Sequence, residues 1–213
     1  MFEIRKNILE KELKYDNTVI LKYHIEYPSI KIDNNRIGEE RFNLYNKNLA
    51  LALQKRSEEE LYKDSIEQYK YNKENNYPIM IYEIYRNYEI TFNSRNLVSL
   101  YADEYIFTGG AHGDTIRTSQ TWDFNYNTLL QLYEFYPRNP YFLLGIFKNI
   151  SNQILKNPDI YFEDNWLSNF CQVLFYGFII LFFCMANKRK RYIFLKLYLF
   201  HFFYDKINLW LVF

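Results

Sequence analysis

The first clear hydrophobic pattern in the chain lies in residues 19–27. Apolar and polar side chains alternate there with a period of two, which predicts a β-strand with one buried face. Pro28 follows directly and predicts the end of the strand, because proline has no N–H to donate to a sheet. His24 lies on the polar face of this strand, so we interpret it as a solvated residue.

A helical pattern follows in residues 36–71. Apolar side chains recur at spacings of three and four and define the face expected to be buried: Phe42, Tyr45, Leu49, Ala52 and Leu53. Tyr62, Ile66 and Tyr69 continue this face with a shift in phase. Residues 58–60 are all Glu, and we interpret them as a solvated helix face rather than a metal site. Residues 72–78 predict the end of the helix.

A group of predicted strands comes next. Residues 79–85 and 88–92 are rich in Ile, Tyr and Phe, residues 93–96 form a turn signal, and residues 97–107 and 114–124 complete the group. A second helix is predicted from Asn139 as N-cap and Pro140 as first residue, and it ends at residues 157–158. The fold class is therefore α+β, with a long helix and a second helix packed on an antiparallel sheet.

Composition and charge divide the chain in two. Over the full length, 26 Lys and Arg balance 25 Asp and Glu, which argues against a nucleic-acid binder that works by bulk charge. Residues 167–213, however, carry six basic residues against one acid, Asp205, and 10 of the 19 Phe. The charged N-terminus shows no signal peptide. Cys171 and Cys184 lie in the apolar tail and are interpreted as packed thiols.

The tail at residues 165–213 leaves three interpretations open. Residues 170–186 carry no charge, and the apolar stretch at 167–186 approaches the length of a transmembrane helix. The basic residues 188–191 would then face the cytoplasm and place residues 1–166 outside. Alternatively, the tail is a frameshifted end, since its composition is typical of AT-rich codons. It could also form an apolar helix buried in the core.

One loop carries most of the candidate chemistry. Residues 108–113 read Thr-Gly-Gly-Ala-His-Gly and join two predicted strands. The spacing fits neither a dinucleotide-binding fingerprint nor a P-loop. The loop is either a tight connection in which His112 is hydrogen-bonded locally, or a recognition loop. In the second case the candidate binding residues are Thr108, Gly109, Gly110, His112 and Gly113. No nucleophile or carboxylate partner for a catalytic His112 is identifiable.

Residues 98–115, which contain this loop, resemble the signature of the extracellular lysozyme-sensing domain of the anti-sigma-V factor. They are also similar to domains attached to peptidoglycan deacetylases of the C type. The resemblance extends over about residues 15–164 and includes the strand before Pro28, the long helix and the Trp122-Asp123-Phe124 segment. It implies one domain at 1–164, with parts at about 15–92 and 93–164. The strands with which the family closes have no counterpart after Asp164.

The resemblance implies a non-catalytic binding or sensing module of the cell envelope, with lysozyme or peptidoglycan as partner. The Asp and paired His ligands of the deacetylase catalytic domain have no counterpart in the chain, so no cofactor or metal is expected. Two alternatives stay open: an accessory domain or remnant of a peptidoglycan deacetylase, and a truncated, non-functional family member. The tail favours membrane association, and no nucleic-acid partner is expected.

Overall fold

The computed structural model describes residues 1–137, 139 and 141–157. The predicted tail at 165–213, with its possible transmembrane segment at 167–186, lies outside the described residues, as does the predicted helix start at Pro140. Met1–Gln131 form one compact unit, and a second unit begins at Leu132. In the part of the chain that is described, no helix is long and apolar enough to cross a membrane.

The first unit contains a six-stranded sheet whose strands lie in chain order. The strands are β1 Glu3–Tyr15, β2 Thr18–Lys31, β3 Tyr82–Asn93, β4 Leu97–Phe107, β5 Asp114–Asp123 and β6 Thr128–Leu129. All neighbouring strands are antiparallel except β2 and β3, which are parallel. The sheet is therefore mixed, and the predicted antiparallel sheet is wrong at this pair. The cause is the long helix between β2 and β3, which returns the chain to the end where it started.

The N-terminal strand β1 was not predicted. It pairs with β2 along its whole length through a two-residue turn at Asp16 and Asn17, whose φ values are 52 and 61. Positive φ at both positions is typical of the type I′ turn that suits a twisted hairpin. More than half of the residues of β1 are charged and more than half are exposed, so its hydrophobic alternation is weak.

Strand β2 continues past Pro28, contrary to the prediction. β3 pairs with β2 only from Leu21 to Ile25, so Pro28 lies beyond the parallel ladder. Two residues later, the N–H of Ile30 points away from β1, towards α1, where the side chain of Asn43 accepts it. The missing donor of Pro28 faces the same side, since alternate residues of a strand point the same way. The ladder with β1 is therefore unaffected.

The long helix is confirmed and runs without interruption from Arg36 to Glu74. It consists of α1 Arg36–Arg56, a π-helical turn Ser57–Leu61 and α2 Tyr62–Glu74. The π-helical turn lies just before the predicted phase shift, because its wider turn adds one residue to the helical repeat.

The predicted buried face of this helix is only partly correct. Phe42 and Leu53 are buried, but Tyr45, Leu49 and Ala52 are exposed. The buried positions are instead largely small or polar: Gly38, Phe42, Asn46, Ala50, Leu53, Ser57, Leu61, Ser65, Tyr69 and Asn72. The hydroxyls of Ser57 and Ser65 donate to helix carbonyls, so these polar groups are satisfied in the interior.

The core of the first unit has two apolar clusters. One gathers Leu21, Tyr23, Ile25, Ala50, Leu53, Leu61, Tyr82 and Ile84. The other gathers Ile30, Phe42, Val98, Leu100, Trp122 and Phe124. On α1, Asn46 separates Phe42 of the second cluster from Ala50 of the first, and its Oδ1 accepts a hydrogen bond of 2.9 Å from Gln120 of β5. A polar contact therefore links helix and sheet between the clusters.

The remaining predicted elements are mostly confirmed. The turn at 93–96 and the strand at 97–107 appear as predicted, whereas residues 79–85 and 88–92 contribute to one strand, β3. In the second unit, α3 spans Phe142–Lys156 and ends as predicted. Asn139 does not cap it: its Oδ1 accepts from the N–H of Tyr141, which is the N-cap residue. The class is α+β with a mixed sheet.

Candidate binding groove

The glycine-rich loop connects β4 and β5 as a hairpin, as predicted. Gly109 and Gly110 both have φ of +98°, a region that residues with a Cβ rarely adopt. Gly113 is required for a different reason. A Cβ there would lie 2.6 Å from the ring of Tyr105 and 2.7 Å from the carbonyl oxygen of Ile106. The three glycines therefore determine the backbone path of the hairpin and its close approach to β4.

The end of α2 lies beside this hairpin. Asn76 has a φ of 55, and the N–H of Tyr77 donates to the carbonyl of Asn72 at 2.8 Å. This is a Schellman motif, which closes a helix through a left-handed residue. The buried side chain of Asn72 donates to the Pro78 carbonyl at 3.0 Å and accepts from Gln68 at 2.8 Å. The segment after the helix is thus held firmly against it.

A groove of about 360 Å³ lies between the end of α2, the segment that follows it and the hairpin. Its walls are Gln68, Tyr71, Asn72, Tyr77, Pro78, Met80, Thr108, Gly109 and Gly110, none of which is charged. Tyr71 and Tyr77 are each 55% exposed, and their ring centroids are 6.0 Å apart. The groove thus combines two accessible aromatic rings with amide, hydroxyl and backbone groups. Such walls suit a neutral ligand with apolar faces and hydroxyl or amide groups.

The predicted binding residues divide into two groups. Thr108, Gly109 and Gly110 line the groove, whereas His112 and Gly113 do not. His112 is exposed, and the described residues offer it no hydrogen-bond partner, so the local hydrogen bond of the first alternative is not present among them. Sequence reasoning did not identify the tyrosines, because it assigned residues 72–78 only as a helix break. The sequence did offer one signal for a binding surface there, the aromatic residue Tyr77 directly before Pro78.

A polar cluster surrounds Glu58 on the π-helical turn. Its Oε1 accepts from Tyr23 Oη at 2.7 Å and from Lys11 Nζ at 3.1 Å, and Gln54 Nε2 donates to Tyr23 Oη at 2.9 Å. The hydrogen bond from Tyr23 lowers the pKa of Glu58, while desolvation and then Glu58 raise the pKa of Tyr23 to about 12. Glu58 is partly buried, whereas Glu59 and Glu60 are exposed, so the predicted solvated face holds for the last two only. The cluster joins helix and sheet.

His24 lies at a second depression, of about 390 Å³, on the β1–β2 hairpin. Its Nδ1 is 3.0 Å from Glu10 and its Nε2 is 3.4 Å from Glu26, so it is more engaged than the predicted solvated residue. Glu26 also binds Lys6 at 2.7 Å. Within the described residues, no group of three or more His, Cys, Asp or Glu is arranged to hold a metal ion. The charged groups here neutralise one another.

Comparison with known proteins gives a family match and similar solved structures, two of which are described here. Residues 14–115 match the family model described as "Deacetylase PdaC". A solved member of the DUF3298 family from Bacteroides fragilis has 17% identity and a TM-score of 0.49, with 62% of this chain and 60% of that chain covered. A DUF3298 protein from Pseudomonas aeruginosa has 16% identity and a TM-score of 0.39, with coverage of 62% and 56%. The chain thus spans under two thirds of both neighbours. No curated protein matches.

Proposed function

We propose that the first unit is a non-catalytic binding module of the cell envelope that holds a peptidoglycan saccharide in the groove beside the glycine-rich hairpin. The observation that carries this proposal is the wall of the groove, with two accessible tyrosine rings and no charged side chain. The match of residues 14–115 to the deacetylase-associated family model supports the same class of ligand.

The chemistry of amino sugars suits such walls. Pyranose rings present C–H faces that pack on aromatic rings, and their hydroxyl and acetamido groups need hydrogen-bond partners in the site. Tyr71 and Tyr77 supply the rings, Gln68 and Thr108 supply polar side chains, and the backbone at Gly109 can approach the ligand closely. The Schellman motif and the Asn72 hydrogen bonds hold Tyr77 in place before the ligand binds. Preorganisation of this kind lowers the entropic cost of binding.

Calorimetric titration of the full chain with a soluble peptidoglycan oligosaccharide tests the proposal. We expect saturable binding in the parent and about a tenfold loss of affinity in Tyr77→Ala, equivalent to about 1.4 kcal/mol. Tyr126→Ala is the matched control, because Tyr126 is 77% exposed in the turn between β5 and β6, outside the groove. Equal losses in both variants, or no binding by a folded parent, would sink the proposal.

Parallel assays separate the alternatives. Titration with lysozyme tests the sensing role: binding of lysozyme but not of the oligosaccharide, with loss in Tyr77→Ala, would assign the groove to a protein ligand. Measurement of acetate release tests the enzymatic alternative. Deacetylation by the parent that disappears in His112→Ala would contradict a non-catalytic module and give the hairpin a chemical role.

A further inference from the structure

The relative placement of Tyr71 and Tyr77 limits how a ligand in the groove can use their rings. The ring centroids are 6.0 Å apart, and the ring planes are inclined by 46°. A ligand ring inserted between them would need contacts of about 3.5–4.0 Å on both sides, hence a separation of at least about 7 Å. The two tyrosines therefore cannot clamp one sugar ring between them.

The inclination also prevents one sugar ring from lying on both tyrosines. A pyranose offers a nearly flat C–H face, which packs on an aromatic ring when the two planes are close to parallel. Because planes inclined by 46° cannot both be parallel to that face, a single sugar covers one tyrosine only. Each tyrosine is 55% exposed and keeps an accessible surface of its own. The groove thus offers two separate aromatic surfaces.

Backbone hydrogen bonds hold both tyrosines in place. Tyr71 lies in the last turn of α2, and its carbonyl accepts from the backbone N–H of Asn75 at 3.2 Å and from the Asn75 side chain at 2.8 Å. Tyr77 is held by the Schellman motif through its N–H, which donates to the carbonyl of Asn72. The spacing of the two surfaces is therefore set before a ligand binds, and it selects ligands that match it.

We propose that the groove recognises a disaccharide unit, with one amino-sugar ring on Tyr71 and the next on Tyr77. This inference rests on the proposed function. Consecutive sugars are joined through a single glycosidic oxygen, so their ring centres lie several ångströms apart and their faces can turn relative to each other, as the inclined tyrosines require. The volume of about 360 Å³ lies near the lower end of the range of about 300–1,000 Å³ for small-molecule sites, which limits the bound segment to a short one.

Ligands of different length test the two-ring site. The full chain is titrated, by NMR chemical shifts, with N-acetylglucosamine and with its uncharged β-1,4-linked dimer and tetramer. We expect the dimer to bind at least about tenfold more tightly than the monomer. The tetramer should lie within about threefold of the dimer, because it adds only further binding registers.

The outcomes separate this inference from the proposed function. Equal affinities for monomer and dimer, or a further tenfold gain for the tetramer, would overturn the two-ring site and leave a saccharide-binding groove in place. Absence of binding by all three ligands to the folded protein would overturn both.

Variants of the two tyrosines test the assignment of one sugar to each ring. Tyr71→Ala and Tyr77→Ala should each lose about tenfold in affinity for the dimer but only about twofold for the monomer, which can still use the other ring. Tyr71→Phe and Tyr77→Phe keep the aromatic face and should bind the dimer within about twofold of the parent. Circular dichroism checks that each variant is folded.

Two results would contradict the assignment. An alanine variant that loses the same factor for monomer and dimer would show that the rings do not act on separate sugars. A tenfold loss in a folded phenylalanine variant would show that the hydroxyl rather than the ring face binds the ligand, and this readout does not depend on the alanine variants folding.

Discussion

The side chain of Asn43 makes both backbone hydrogen bonds of Ile30. Its Oδ1 accepts from the Ile30 N–H at 2.7 Å, and its Nδ2 donates to the Ile30 carbonyl at 3.0 Å. Nearby, Glu39 accepts from the N–H of Ile32 at 2.7 Å. The parallel ladder between β2 and β3 ends at Ile25. Beyond it, these side chains of α1 bind the backbone groups of β2 that a neighbouring strand would otherwise bind. Helix α1 thus satisfies a part of the strand edge beside which the described residues place no other strand.

Asn43→Ala should lower the free energy of unfolding by about 2 kcal/mol, because it leaves a partly buried N–H and C=O of Ile30 without partners. Urea denaturation measures the change. Asn48→Ala is the control, since Asn48 is exposed on the same helix, and we expect it to change stability by less than about 0.5 kcal/mol. Similar effects of the two substitutions would show that the edge contact contributes little.

Tyr23→Phe should destabilise the protein by about 1 kcal/mol near neutral pH, since it removes the hydrogen bond to Glu58. The folded pKa of Tyr23 is raised to about 12, so its contribution is present below about pH 10 and is lost as the pH rises through 12. The folded pKa of Glu58 is lowered, so its contribution is present above about pH 4.3 and is lost as the pH falls through the folded value.

The difference in stability between the parent and Tyr23→Phe should therefore be largest near neutral pH and shrink at both extremes. Urea denaturation across the pH range measures it. Tyr62→Phe is the control, because Tyr62 donates to the Lys14 carbonyl, a group that does not titrate. Its cost should persist in acid. A cost of Tyr23→Phe that stays constant down to acid pH would contradict the assigned role of Glu58.

Gly113→Ala should be more harmful than Gly110→Ala, although only Gly110 has a positive φ. The new Cβ at Gly113 would meet the Tyr105 ring at 2.6 Å and a backbone oxygen at 2.7 Å, for which we expect a loss of about 2 kcal/mol. At Gly110 the space is open, and the cost is that of a left-handed residue, about 1 kcal/mol. Thermal denaturation of both variants gives the order. The reverse order would refute the close-approach argument.

Gln120→Leu should cost about 2 kcal/mol, because Gln120 donates to buried Asn46 at 2.9 Å and accepts from the Trp122 indole at 2.7 Å. A double-mutant cycle with Asn46→Leu measures the coupling. The double variant should be less destabilised than the sum of the single variants, since no buried Asn oxygen is then left unpaired. Strict additivity would mean that the contact does not join helix and sheet energetically.

Local pattern was sufficient for several elements. The β4 strand, the turn before it, the glycine-rich hairpin and the length of the long helix follow from periodicity and turn residues, and even the π-helical turn left a phase shift near Tyr62. Strand β1 was not predicted, because its many charged and exposed residues leave no clear alternation of apolar and polar positions. The buried face of the helix was also hidden, since Asn46 and Ser57 are polar in sequence and become buried only through specific hydrogen bonds.

By itself the sequence determined the α+β class, the order of most elements and the glycine positions of the hairpin, because these depend on neighbours along the chain. The tertiary structure decided the parallel pairing of β2 and β3, the buried stripe of the helix and the groove. Tyr71 and Tyr77 meet Thr108 and Gly109 only after the helix has crossed the sheet. Contacts between residues more than 30 positions apart depend on packing and strand register, which no local period encodes.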